Sequence, residues 1–215
     1  MPDAADTATR RAQEAAARAA APDDSRPLEE LEDHELMLLV KAESLPAFET
    51  LFRRFERPIY SYFARLSSDR VGAEDYTQDV FTRLWSSRHL YEPTGKFTNY
   101  LYQIARNYWI NELKRRSIRP RGANLETVLP FAESEHRDDQ PLTNLVRREL
   151  GELIDKALSE IPDEQREVFI LSRHHKLRYQ EIAEIMDIPV RTVESRLVLA
   201  TRKLMSKLAA WRRTL

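Results

Sequence analysis

The stretch from Tyr179 to Leu208 constrains the fold most. Its apolar residues fall into two groups at helical spacing, Ile182, Ala183 and Met186 followed by Val193, Leu197, Ala200, Leu204 and Leu208, with Asp187 and Pro189 between them. The pattern predicts a helix, a tight turn and a second helix. Ala183 is small where crossing helices approach closely, Asp187 tolerates the left-handed backbone such a turn needs, and Pro189 suits a helix start. The second helix offers Arg191, Thr192, Glu194, Ser195 and Arg196 near its N-terminus, the end that a helix-turn-helix inserts into the major groove. An ordinary pair of amphipathic helices would have the same spacing, so the rest of the chain has to decide.

The rest is also helical in pattern. There are only four glycines in 215 residues, and strand-like alternation is scarce. The absence of cysteine excludes disulfides, thiolate metal sites and cysteine nucleophiles. No run is as long and apolar as a membrane span, and the N-terminus lacks a signal-peptide core, so a cytoplasmic location is expected.

The net charge of −1 conceals a segregation. Residues 1–45 carry −6, residues 46–116 carry +4, residues 117–145 carry −2 and residues 146–215 carry +3. Within these, 96–121 and 191–215 are each +6. Two basic stripes on an otherwise acidic chain suggest two contacts with a polyanion. A charge run is also what an ordinary solvated helix face looks like.

Taken in order, residues 1–30 read as a disordered, Ala-rich tail. Asp33 is expected to cap a first helix carrying Leu36, Leu39 and Val40. Pro46 opens the next, with Phe48, Leu51, Phe52 and Phe55 at core spacing, and Pro58 is expected to interrupt it before Ile59, Tyr62, Phe63 and Leu66. From Ala73 a helix can turn Tyr76, Val80, Phe81 and Leu84 inward and keep Asp75, Gln78, Asp79 and the edge of Trp85 on another face. That acidic, partly aromatic face suits a basic protein partner. Acids at a helix start also complement its dipole, which accounts for Glu74 and Asp75 but not for Asp79 and Trp85.

After Pro93, Thr94 and Gly95 comes a second aromatic helix. Leu101, Ile104, Ala105, Tyr108 and Leu113 can fill a core, which leaves Phe97, Tyr100, Tyr102 and Trp109 among Asn99, Gln103, Arg106, Asn107 and Lys114. Exposed rings beside amides and cations are what melted DNA needs, for stacking, base edges and phosphates respectively. Tyr102 taken singly fits a core role better. Residues 117–145, with Pro120, Gly122, Pro130 and Pro141, read as a linker. Beyond it, Val146, Leu150, Leu153, Ile154, Ala157, Leu158 and Ile161 step by three and four. Pro162 then opens a helix carrying Val168, Phe169 and Leu171.

These motifs, in this order, resemble the extracytoplasmic-function (ECF) group of bacterial RNA polymerase sigma factors, in the sigma-70 family. The resemblance covers roughly residues 31–212 and rests on Ala73-Glu-Asp to Trp85, Phe97 to Arg116, Ile161-Pro162 with Glu167-Val168-Phe169, and Tyr179-Gln-Glu-Ile-Ala through Thr192 to Leu197. It implies an all-α fold: a region 2-like domain over 31–116, a flexible linker over 117–145, and a region 4-like helix-turn-helix domain over 146–215. It also implies a factor without a catalytic site, metal or cofactor, which directs core polymerase to promoters and assists their melting.

By the same resemblance, Asp75, Gln78, Asp79 and Trp85 would meet the clamp helices of the largest polymerase subunit. Lys96, Phe97, Asn99, Tyr100, Gln103, Arg106, Asn107, Trp109, Lys114 and Arg115 would hold the melted minus-ten element. Arg191, Thr192, Glu194, Ser195, Arg196, Arg202 and Lys203 would read the minus-thirty-five duplex, and an anti-sigma protein would be a further partner.

Some residues depart from the family pattern. Arg178 stands where a Ser or Thr cap is common, which costs about 1 kcal/mol unless Glu181 or water substitutes. Asp187 replaces a turn glycine. Glu194 replaces a frequent basic residue and could accept from a cytosine amine, and Asn111 replaces a common acid. An enzyme is a poor alternative, since His34, His89, His136, His174 and His175 have no ligand-like spacing and no phosphate loop or nucleophile elbow is present. A stand-alone helix-turn-helix regulator would use the C-terminal half but leave the Asp75 to Trp85 face and the aromatic helix unexplained.

Overall fold

The computed structural model describes residues 26–67, 70–118, 151, 154 and 156–212. The tail over 1–25 and nearly all of the expected linker lie outside them. Among the described residues all regular structure is helical. The first lobe comprises α1 (Asp33–Lys41), α2 (Leu45–Ser67), α3 (Arg70–Ser86) and α4 (Phe97–Ile118), with short 3-10 turns at Leu28–Glu30 and Arg88–Leu90. The second lobe holds Ala157, Leu158 and Ile161 as buried residues ahead of α5 (Asp163–Arg173), α6 (Tyr179–Met186) and α7 (Val190–Arg212).

Two helix boundaries differ from the sequence expectation. Asp33 is the first residue of α1 rather than its cap; the Glu32 amide donates to Glu35 Oε2 at 2.8 Å instead. The Asp33 carboxylate is drawn away to Arg54 Nη1, 2.8 Å from Oδ1. Pro58 does not break α2, which runs unbroken from Leu45 to Ser67. Proline inside a helix removes one hydrogen bond and crowds the preceding turn. Here Leu51 on one side of it and Ile59, Tyr62 and Phe63 on the other are fully buried, and this packing holds the helix through the defect.

The first-lobe core is built from rings meeting edge to face. Phe63 of α2 contacts Tyr62, Tyr76, Tyr108 and Trp109, with centroids between 5.3 and 6.4 Å apart. Because its ring touches both α3 and α4, one side chain fixes how three helices pack.

The turn between α6 and α7 follows the sequence reading. Asp187 has φ 52° and ψ 52°, and the Ile188 amide donates to the Ala183 carbonyl at 3.1 Å, closing the C-terminus of α6. At its other end the missing cap is replaced, since the Arg178 amide donates to Glu181 Oε2 at 2.7 Å. Ile182, Ile185, Met186, Val193, Leu197, Ala200 and Leu204 close over Leu158, Val168, Ile170 and Leu171 to form the second core.

Phe63→Ala is expected to lower unfolding free energy by about 3–5 kcal/mol in denaturant titration, whereas Leu90→Ala at an exposed site should change it by less than about 0.5 kcal/mol.

Candidate functional site

Three surfaces carry the residues singled out in the sequence. On α3, Asp75, Gln78 and Asp79 are exposed, as expected. Asp79 is not idle: its Oδ2 accepts a 2.8 Å hydrogen bond from Tyr108, whose hydroxyl is pushed well above its ordinary pKa by burial and then by this carboxylate. Trp85 is half-buried, its ring edge-on to Phe48 at 5.2 Å and covered by the Arg88 guanidinium at 4.6 Å. An open groove between α2 and α3 is lined by Leu45, Phe48, Phe52, Phe81 and Trp85 with Gln78 and Thr82.

The α4 surface requires correction. Phe97 and Trp109, expected to present rings to bases, are each 3% exposed. Phe97 lies edge-on against Phe55 at 5.2 Å and Tyr91 at 6.3 Å, and Trp109 packs against Phe63 and Tyr76. Helical spacing shows that rings share a face but not how wide a face the neighbouring helices cover. Here α2 covers both rings, with α3 closing over Trp109 and Tyr91 over Phe97. Tyr100 is half-buried against Tyr91 at 5.1 Å, and Tyr102, as its single-residue reading suggested, is buried.

What α4 does present is polar. Lys96, just ahead of the helix, and Asn99, Gln103 and Arg106 along it recur at intervals of three and four and so share one face, with Asn107 exposed beside it and Lys114 and Arg115 exposed near the helix end.

That face is covered by the second lobe, a contact the sequence did not reveal. Lys96 Nζ pairs with Glu181 Oε1 at 2.6 Å, Asn99 Nδ2 donates to Glu184 Oε2 at 2.7 Å, and Gln103 Nε2 donates to the Glu184 carbonyl at 3.1 Å. Asn99, expected to be accessible, is consequently buried. Deeper in, Glu167 Oε1 accepts from the Tyr62 hydroxyl at 2.8 Å and pairs with Arg106 Nε at 3.3 Å. Burial pushes the Glu167 carboxyl upward in pKa, while Arg106 and then Tyr62 pull it back. Burial, then Glu167, raises Tyr62 well above the usual phenol range. Beside this pair the Tyr102 hydroxyl and His175 Nδ1 lie 2.8 Å apart. Burial, the neighbouring His174 and Arg65 lower the His175 imidazole to about 3, so it stays neutral.

On α7, Arg191, Glu194, Ser195, Arg202 and Lys203 are exposed, and Thr192 is half-buried. Arg196 is partly enclosed and tied to Glu164 on α5. Ser195 Oγ donates to the Thr192 carbonyl at 3.0 Å. The N-terminal turn of α7 thus keeps a free polar edge, as the helix-turn-helix reading expected.

The chain was compared with known proteins. Residues 51–118 match Sigma-70 region 2, and residues 151–204 match Sigma-70, region 4, together more than half of the chain. The chain belongs to the extracytoplasmic-function sigma factors of the sigma-70 family. Similar proteins include the RNA polymerase sigma-H factor of Pseudomonas aeruginosa, 27% identical over 173 residues, or 79% of this chain and 90% of that one. The ECF RNA polymerase sigma-E factor of Haemophilus influenzae is 28% identical over 184 residues, 84% of this chain and 97% of that one.

Among solved structures, CnrH in complex with the cytosolic domain of CnrY superposes with a TM-score of 0.62 at 20% identity, covering 83% of this chain and 97% of that one. The sigma factor RpoE of Bartonella quintana, solved with the anti-sigma factor NepR, gives 0.59 at 21%, covering 77% and 98%; both show the shared fold. This sigma factor directs RNA polymerase to promoters at transcription initiation. Among the described residues no helix is long and apolar enough to cross a membrane.

Because His175 is neutral when folded down to about pH 3 but titrates near 6.5 when unfolded, the unfolded chain binds the extra proton between those values. Stability should therefore be full above about pH 6.5 and fall as pH drops, with a slope approaching about 1.4 kcal/mol per unit from this residue. Urea midpoints measured at pH 7.5 and 5.5 should differ less in His175→Asn than in the parent.

Proposed function

We propose that this sigma factor divides its work among these three surfaces. The α4 face of Lys96, Asn99, Gln103, Arg106 and Asn107, extended by Lys114 and Arg115, would contact the melted minus-ten element through amides and cations. Phe97 and Trp109 would serve beneath it as a rigid support and not as stacking platforms. This reading is supported by one observation: Asn99, Gln103 and Arg106 of α4, with Lys96 just ahead of it, lie on a single face over an aromatic core that fixes the helix in place. Bases can be bound there by hydrogen bonding and by phosphate contacts, with Tyr100 as the half-buried ring nearest the surface.

The start of α7 would read the minus-thirty-five duplex. Arg191, Glu194 and Ser195 are exposed on its first turns, in reach of base edges, while Arg202 and Lys203 further along suit phosphates. Glu194 would accept from a cytosine amine. Arg196, already paired with Glu164, would have to exchange that partner for DNA, which leaves Arg191 as the stronger contributor.

The α3 surface would bind core polymerase. An apolar groove lined by Gln78, on a helix that also exposes Asp75 and Asp79, would fit an amphipathic, basic helical element, as the clamp helices of the largest subunit would supply. Trp85 would contribute an edge of that groove. An anti-sigma protein is a further expected partner, since similar folds have been solved with such proteins bound. The polymerase itself would do the chemistry, at the site in the cell where transcription occurs.

Run-off transcription with core polymerase tests the assignment. Asp75→Lys with Gln78→Ala should weaken binding to core by about tenfold or more with unchanged circular dichroism; unchanged capture of core would remove the α3 assignment. Arg191→Ala should lower promoter affinity and reduce the salt slope by about one, and equal slopes would remove the α7 assignment.

A further inference from the structure

Tyr108 belongs to two environments at once. Its ring lies in the aromatic core, 6.0 Å from Phe63 of α2 and 5.6 Å from Tyr76 of α3, while its hydroxyl reaches the seam with α3 and donates to Asp79 Oδ2 at 2.8 Å. Arg83, one turn beyond Asp79 on α3, lays its guanidinium over the same ring, 5.0 Å from the centroid. Packed in this way the phenol has no room to swing, so the core fixes where its hydroxyl stands. Burial and then the carboxylate raise its pKa well above the ordinary phenol value, so it keeps the proton it donates.

Asp79 is the opposite case, because its side chain is exposed. A carboxylate at such a helix position has several staggered rotamers open to it, and a partner that binds it has to stop that motion at a cost in affinity. The hydrogen bond from the fixed phenol selects one orientation, in which Oδ2 is turned to α4. Among the described residues Oδ1 has no donor of its own. It is therefore available to a cation from outside, with the rotamer already chosen. The plainer account is that a buried phenol needs an acceptor and Asp79 merely supplies one. The two accounts agree about packing and differ in what the hydroxyl does for binding.

We propose that Tyr108 is a positioning residue for polymerase binding: from α4 it holds the Asp79 carboxylate in the orientation that a cation of core polymerase meets on α3. This deepens the reading of the α3 surface given above and rests on it. Tyr108 is 5% exposed, too covered to meet the partner itself, and acts only through Asp79. A side chain of the helix assigned to DNA thereby contributes to the surface assigned to polymerase.

The test is core polymerase binding by the full chain carrying Tyr108→Phe, Asp79→Ala or both, with circular dichroism reporting the fold. Phe keeps the ring and its neighbours and removes only the hydroxyl. Tyr108→Phe should weaken core binding about three- to tenfold, the range expected when one ordered side chain is set free. Asp79→Ala should weaken it by about tenfold or more. The double variant should lose no more than Asp79→Ala alone, since the hydroxyl has no route to the partner except the carboxylate. Should the Phe variant lose helix content, Tyr108→Leu repeats this arm with another apolar side chain that lacks the hydroxyl.

Parent-like core affinity in folded Tyr108→Phe would overturn the proposal and leave Tyr108 a packing residue with a satisfied hydroxyl. So would a double variant whose loss is the product of the two single losses, because Tyr108 would then act apart from Asp79. If Asp79→Ala binds core like the parent while Asp75→Lys with Gln78→Ala does not, the proposal falls and the α3 surface stands. If neither variant loses core, the reading of α3 falls as well, and the proposal with it.

Discussion

The ring of Phe63 is the contact from which the first lobe is organised. It lies edge to face against Tyr62 on its own helix, Tyr76 on α3 and Tyr108 on α4, and at a tilt against Trp109 on α4. Apolar burial alone would allow α4 to roll about its axis. Several rings locked at steep angles do not, so the side of α4 that faces outward is determined by the side that is packed. Its outward residues are consequently amides and cations, held on a helix that cannot turn away from them.

The same packing explains why the richest signal in the sequence pointed to the wrong atoms. Phe97, Tyr100, Tyr102 and Trp109 are too many for the narrow stripe that an average helix buries, and that surplus suggested rings left over for bases. The stripe here is wide because α4 is flanked by several neighbours: α2 brings Phe55 and Phe63, α3 brings Tyr76, and Tyr91 closes the end. A surplus of rings on one helix was matched by a surplus on the others. The function proposed for the helix does not depend on those rings, since its amides and cations would carry it and stacking would no longer be its main physical means.

Charge distribution has a comparable second meaning. The basic stripe over 96–121 is separated in sequence from the acids of α5 and α6, and read along the chain it looks unpaired. In space Glu181, Glu184 and Glu167 are set against it. Such pairing across some eighty residues leaves no periodic trace, since neither partner's helix needs the other to satisfy its own amphipathic pattern. Glu181 shows how compactly this is done, one carboxylate oxygen capping its own helix and the other holding Lys96.

The sequence by itself determined the helices, their inward faces and the turn at Asp187, because these follow from interactions between residues a few positions apart: apolar spacing, a proline at a helix start, a side chain that tolerates a left-handed backbone. It also carried the ordered motifs by which the family is known. It misjudged Pro58 and the Asp33 cap, where packing and a competing Arg54 outweighed local preference. Only the tertiary structure decided which aromatic rings are covered, that Arg196 is tied to Glu164, and that the second lobe lies on the polar face of the first. Those outcomes depend on the distance and angle between helices far apart in the chain, and residue spacing along one helix contains no information about either.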